Sequence, residues 1–409
     1  MTVTVMKFGR ASITTMAHLQ KAADRIIREK ETGTKPIVVV SPMGRTVERL
    51  ASLARDTSAR SSAREMDALI STGAQVTAAL LSLTLNGHGA EALSLSGRQA
   101  GLHTDMAHGQ SRITSIDTSQ IRPLLDRGKI VVVAGGQGVA ENGEITLLGC
   151  GGSAMTAVAL SAAFAARRCE IYTNVAGVFT ADPRYVKSAR KLKEIGYDEM
   201  LEIAYLGTGI LHPRAIEYAK EERIELVVRS SFSDEKGTVI KEDVSMEKTE
   251  SVKGLAFEKN VAKVTLLGLP NHVEAVSRVF DTIAEQQINI DVIVQNVLDE
   301  ERTSLSFTVD RDLLDSVLDV LRKREADLGF QRIIHESGLA KVSIVGSGMA
   351  SNPGVAAAMF HVLSGQKIKV KMISTSEIKV STIINEDRLS DALNALHEAF
   401  HLSTESIGL

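Results

Sequence analysis

The residues best placed to do chemistry lie in Gly149-Cys150-Gly151-Gly152-Ser153-Ala154, three glycines in four positions followed by a small hydroxyl residue. Glycine admits positive φ and lets backbone come close to a ligand. The alanine-rich run from Ala157 to Arg167 has helical character. A helix starting at Ser153 points free N–H groups and the positive end of its dipole into the loop. That arrangement suits an anion, phosphate above all. The Gly-Lys-Ser/Thr ending of a Walker loop is missing, so this stretch alone also fits a plain strand-to-helix turn. Cys150 is either a thiol activated by the helix terminus or a small filler.

Three more glycine turns close apolar strands: Lys7-Phe8-Gly9, Ser41-Pro42-Met43-Gly44 and Gly135-Gly136-Gln137-Gly138. Ligands of open α/β sheets gather at the carboxyl ends of strands. Four such turns together point to a phosphate cradle, with Lys7 as its point charge.

The elements that must carry these turns are legible. Val3 to Gly9, Pro36 to Ser41, Ala90 to Ser94, Ile130 to Ala134 and Cys169 to Thr173 are apolar runs of strand length. Between them, Thr14 to Lys30, Val47 to Arg55 and Glu65 to Leu85 have helical spacing. This alternation predicts a three-layer α/β domain. Asn174 to Arg184 reads as a loop, Tyr197 to Leu206 and Pro213 to Lys220 as helices, and Ile224 to Arg229 as a strand. The polar stretch Ser231 to Lys248 marks a domain boundary.

The second half repeats a βαββαβ pattern. The first copy runs from Ala262 to His335; the second begins at Ala340 and reaches His397, with strands at Ala340 to Val345, Ile368 to Ile373 and Ile378 to Ile383. Val264-Thr265-Leu266-Leu267-Gly268 parallels Val342-Ser343-Ile344-Val345-Gly346. Two ferredoxin-like units behind an α/β domain fit a regulated enzyme or a pair of oligomerisation modules.

Composition narrows the class. Lys and Arg (47) nearly balance Asp and Glu (50), for a formal net charge of −3, which argues against a nucleic-acid surface. The apolar runs read as too short for a membrane span, no signal-peptide pattern opens the chain, and the expected location is cytoplasmic. Cys150 and Cys169 show no metal spacing and make no disulfide framework.

Specific signatures then appear. They include Phe179-Thr180-Ala181-Asp182-Pro183-Arg184, Tyr197-Asp198-Glu199-Met200-Leu201, Leu211-His212-Pro213-Arg214, Ile293-Val294-Gln295-Asn296-Val297, Ser343-Ile344-Val345-Gly346 and Ser374-Thr375-Ser376-Glu377-Ile378-Lys379. With these the chain closely resembles the aspartokinases over nearly its whole length. The resemblance implies an amino-acid-kinase domain over 1–245 and two ACT domains over 250–336 and 337–409. It implies transfer of the γ-phosphoryl of ATP, with Mg2+, to the β-carboxylate of aspartate. It gives catalytic roles to Lys7 and Ser153, and nucleotide contacts to Gly9, Ser41, Gly44, Gly151, Gly152, Thr173, Asn174, Phe179, Asp182 and Arg184. Lysine or threonine would bind as effector near Asn271, Gln295, Asn296, Ser374 and Thr375, and the chain would form at least a homodimer through its ACT domains.

Departures from the family pattern cluster at the chemistry. The family's Lys-Phe-Gly-Gly-Thr-Ser is Lys7-Phe8-Gly9-Arg10-Ala11-Ser12 here. Its Gly-Glu is Gly73-Ala74, and its Gly-Arg-Gly-Gly-Ser-Asp is Gly149-Cys150-Gly151-Gly152-Ser153-Ala154. In the family the missing glutamate contacts the substrate amino group, the arginine grips the aspartate carboxylate, and the aspartate stands beside it. The effector turn Pro-Asp-x-Pro-Gly is Pro270-Asn271-His272-Val273-Glu274. Three readings stay open: a kinase relative with little or no aspartate turnover that acts through its ACT surfaces or a partner, an active aspartate kinase with substitute contacts from Arg10 or Arg98, and a kinase for another carboxylate.

Overall fold

Continuous apolar runs become buried strands because helices cover both faces of their sheet. The computed structural model describes residues 2–58, 60–207, 209–242, 251–349 and 352–403. Two compact units emerge: residues 1–179 with 191–244, and residues 180–190 with 245–409. Part of the expected boundary, residues 243–248, lies outside the described residues.

The first unit runs β1 (Val3–Phe8), α1 (Met16–Glu31), β2 (Lys35–Val40), α2 (Thr46–Thr57), α3 (Ala63–Gly87), β3 (Ala92–Leu95), β4 (Leu102–Thr104), β5 (Ile113–Ile116), α4 (Ile121–Asp126), β6 (Ile130–Ala134), β7 (Gln137–Ala140), β8 (Ile145–Leu147), α5 (Gly152–Ala163), β9 (Cys169–Thr173), β10 (Glu194–Gly196), α6 (Tyr197–Tyr205), α7 (Pro213–Glu221), β11 (Leu226–Ser230) and β12 (Thr238–Lys241). The main sheet has the order β10-β12-β11-β9-β1-β2-β6-β3. The strands from β11 through β3 in that order run parallel, so their carboxyl ends share one rim. Ile37 to Val40 and Ile130 to Ala134 are fully buried.

Local rules set the helices. Thr15 caps α1 by accepting from the His18 N–H, and Leu19, Ala22, Ala23 and Ile26 form its buried face. Among the described residues α3 alone has the length and hydropathy to cross a membrane, contrary to the expectation that no run does. Its Ala74, Ala78, Leu81 and Leu85 are instead packed in the core beside α1. The helix expected to reach Arg167 stops at Ala163, and Ala165 takes φ +46.

A small second sheet, β5-β4-β7-β8, has strands too short to leave a periodic signal. The polar stretch read as a boundary contains β12, antiparallel to β11.

The second unit runs β13 (Gly254–Pro270), α8 (Val273–Ala284), β14 (Ile293–Val297), β15 (Arg302–Asp310), α9 (Leu314–Lys323), α10 (Glu325–Leu328), β16 (Arg332–Val345), α11 (Val355–Gly365), β17 (Met372–Thr375), β18 (Lys379–Asn385) and α12 (Leu389–Ala399). One six-stranded sheet, β14-β15-β13-β16-β18-β17, carries all of it. The strands expected separately at Gln331 to His335 and Ala340 to Val345 are one, β16. Gly338, at φ +71, lets the chain pass through the irregularity where the pairing register shifts. The first part of β13 pairs Gly254–Glu258 with Val345–Lys341, and the remainder pairs with the earlier half of β16. Both central strands therefore serve both repeats. The strand expected at Ile368 to Ile373 starts at Met372, after Lys367 takes φ +56.

Segment 180–190 belongs to this unit. Ala181 and Val186 join the core of α11 and α12. Thr180 Oγ1 lies 3.0 Å from His397 Nε2, and the Leu255 N–H donates to the Thr180 carbonyl.

Candidate nucleotide and acceptor site

The carboxyl rim of the first unit gathers the glycine turns. Gly9 N–H donates to the Tyr172 carbonyl, Ser41 N–H to Phe8 and Gly135 N–H to Val40. The ends of β1, β2, β6 and β9 are thus tied side by side. Lys7 folds over Gly9: a Cβ at Gly9 would meet Lys7 Nζ at 2.9 Å. Burial pushes the Lys7 amine down to about 8. Among the described residues no carboxylate stands within ion-pair distance to counter it.

The central loop is cut for close approach. Gly151, the N-cap of α5, has φ +74 and makes no side-chain cap. A Cβ there would overlap His212 Cβ at 2.4 Å, and one at Gly135 would meet Ser153 Cβ at 2.9 Å. Gly136, at φ +79, accepts from the Leu148 N–H, which fixes the loop beside the end of β6. The uncapped start of α5 faces this turn and can hold phosphate oxygens.

On the side expected to hold the acceptor, Gly73 sits against Thr46 and Pro42, and Thr77 Oγ1 accepts from the Met43 N–H at 2.9 Å. Ala74 is therefore set beside the Ser41–Gly44 turn, 2% exposed, and Ala154 is 4% exposed. Neither brings charge. Cys150 is exposed. Arg10, a candidate substitute, is paired with Glu48 of α2, and Arg98 is exposed.

The other expected contacts divide. Thr173 accepts the Ser231 N–H at 2.8 Å, and Asn174 is exposed. Phe179 closes the first segment of the first unit, whereas Asp182 and Arg184 lie in the second, paired with each other at 2.6 Å. Gln295 and Asn296 lie on β14, Ser374 and Thr375 on β17. These are opposite edges of the sheet, five strand spacings or about 24 Å apart. Asn271 donates to the Asp299 and Glu300 carbonyls. One chain does not bring this effector set together.

Two residues taken above only as part of a signature touch the central loop. Arg214 donates to the Leu148 carbonyl at 2.9 Å. His212 packs on Gly151 with Nδ1 buried and unpartnered, and burial together with Arg214 lowers its pKa. A His-Pro helix start carries no spacing that places it on a distant loop.

Comparison with known proteins fits this architecture. The model of the amino acid kinase family matches residues 2–230, and that of the ACT domain matches 342–400. An aspartokinase of Bacillus sp. (strain MGA3) is 53% identical over 403 residues, covering 98% of each chain. The chain belongs to the aspartokinase family. An aspartokinase of Geobacillus stearothermophilus is 52% identical over 407 residues, covering 99% of each chain. The solved aspartate kinase from Synechocystis is 41% identical, covers all of this chain and 70% of its own, and gives a TM-score of 0.55. Escherichia coli aspartokinase III, solved in complex with aspartate and ADP, shares the fold at 23% identity and a TM-score of 0.79, covering 97% of this chain and 99% of its own. This member of the aspartokinase family combines the α/β kinase fold with an ACT half.

Proposed function

We propose that the chain binds ATP at the rim of its kinase unit but turns over aspartate weakly or not at all, and acts through its ACT surfaces or a partner. One observation carries this reading: buried Ala74 and Ala154 and exposed Cys150 stand where the family pattern implies charged contacts to the acceptor, while Lys7 and the glycine turns remain. Phosphoryl transfer depends on positioning and charge stabilisation, so the losses fall on the step itself. Among the described residues no His, Cys, Asp or Glu groups gather as a metal site. The Mg2+ of ATP would arrive on its phosphates. The expected result with full-length protein, ATP, Mg2+ and aspartate is ADP release no faster than without aspartate.

The second reading, an active aspartate kinase making aspartyl phosphate for lysine, threonine and methionine synthesis, is favoured by full-length relatives that bear the name aspartokinase. An aspartate-dependent rate of about 1–100 per second in the same assay would establish it and overturn the first.

The same reading places the chain in the cytoplasm and makes it a homo-oligomer, with ACT domains over 250–336 and 337–409, the second completed by the strand at Gly254–Glu258. Edge strands β14 and β17 expose Ile293, Val297 and Ile373. Unpaired edges of this kind invite pairing with a second copy. Pairing across copies would also bring Gln295 and Asn296 near Ser374 and Thr375, forming a lysine or threonine site. Sedimentation at micromolar concentration is expected to give at least a dimer, and Val297→Lys with Ile373→Lys a monomer; a monomeric unmodified chain contradicts this.

A further inference from the structure

A buried acid, a histidine and a second acid meet beside the glycine loop. Asp67, on α3, is 1% exposed. Its Oδ2 lies 2.9 Å from Nδ1 of His108, which sits between β4 and β5. The same oxygen accepts the Gly109 and Leu147 N–H groups, each at 3.0 Å. On its other side, His108 Nε2 lies 3.3 Å from Oε2 of Glu144, in the β7–β8 turn. Arg64, from the first turn of α3, lies 3.4 Å from Glu144 and also pairs with Glu65.

Ionised carboxylates only accept hydrogen bonds, and a neutral imidazole has a single N–H. It can serve Asp67 or Glu144, whereas the imidazolium serves both. The Asp67 hydrogen bond, against some burial and with help from Glu144, raises the His108 pKa above the ordinary histidine value.

The cluster reaches the central loop through two contacts. Ser111 donates to the Leu147 carbonyl from both its N–H and its hydroxyl. A Cβ at Gly149 would lie 2.8 Å from the Gly109 carbonyl oxygen, so the two loops are in contact.

We propose that His108 is a positioning residue: its protonated ring fastens the loop at 108–109 and the β7–β8 turn to α3, and so fixes the entry to the glycine loop at 149–152. A raised histidine pKa means the fastening is complete at low pH and is lost as pH rises through that pKa. The neutral ring keeps one carboxylate, and the turn loosens, held to α3 by Arg64 on Glu144 and by the Leu147 N–H on Asp67. The consequence for nucleotide rests on the reading above that this loop holds phosphate.

The test is hydrogen exchange on the full-length protein across pH, corrected for intrinsic rates, with His108 followed by histidine NMR. Protection over residues 141–149 is expected to fall about tenfold as His108 loses its proton, the effect of one charge-assisted hydrogen bond. In Glu144→Gln the titration moves toward the ordinary histidine value and the step shrinks. In His108→Gln the profile is flat. A wild-type profile without a step, or the same step in His108→Gln, overturns the proposal. ADP calorimetry over the same range separates the two readings. A step in exchange without a change in ADP affinity leaves the clamp standing and removes the phosphate role of the loop.

Discussion

Ala74→Glu, Cys150→Arg and Ala154→Asp, introduced together, are expected to give aspartate-dependent ADP release where the unmodified chain has none. On the proposed reading each restores a charged group at the acceptor side, and hydrogen bonds to charged groups contribute about 1.5–3 kcal/mol. The lower end for three groups is about 4.5 kcal/mol, or roughly three decades in rate. Groups that act as a unit do not add, so the single variants are expected to recover far less than the triple. Lys7 adds a pH dependence of its own. In the unmodified chain burial sets its pKa at about 8, so its positive charge is lost as pH rises past that value. Affinity for ADP should then fall above about pH 8. A triple variant with no gain, beside an unmodified chain that already turns over aspartate, would show that other residues supply the contacts.

The second large effect is expected at Gly151. An alanine there must hold φ +74 and place its Cβ 2.4 Å from His212 Cβ. The left-handed conformation costs about 1–2 kcal/mol and overpacking about 1–3 more. Gly151→Ala should therefore lose about 2–5 kcal/mol of kinase-unit stability in denaturant titration, or move the loop and lose ADP affinity tenfold or more. Gly143, at φ +85 with open space around it, is the control and should show only the backbone cost. Replacing His212 by glycine alongside removes the overlap and should recover most of the difference. Equal losses at the two glycines would show that His212 does not constrain the loop.

Much of the kinase unit was legible because its signals are local. Continuous runs such as Ile130 to Ala134 leave few alternatives to a buried parallel strand, and glycine turns at strand ends mark the rim. What was illegible is set by partners far along the chain. Nothing in Gly254–Glu258 announces that it completes the second repeat, since its partner is Lys341–Val345. The division at 336/337 falls inside β16, because an alternating strand carries no mark where its neighbours change. His212 and Arg214 were visible as residue types but not as neighbours of Gly151 and Leu148. His108 carried no motif, and its role comes from two carboxylates that are distant in sequence.

The shared central strands also set an order on synthesis. The part of β13 at Gly254–Glu258 leaves the ribosome well before its partner at Lys341–Val345, and must wait unpaired. Segment 180–190 waits longer still for α11 and α12. Pairings between residues so far apart are slow to close. A nascent chain stopped after the first repeat would hold an exposed strand with no neighbour, a natural target for chaperones. A fragment beginning at 337 would lack its fourth strand altogether.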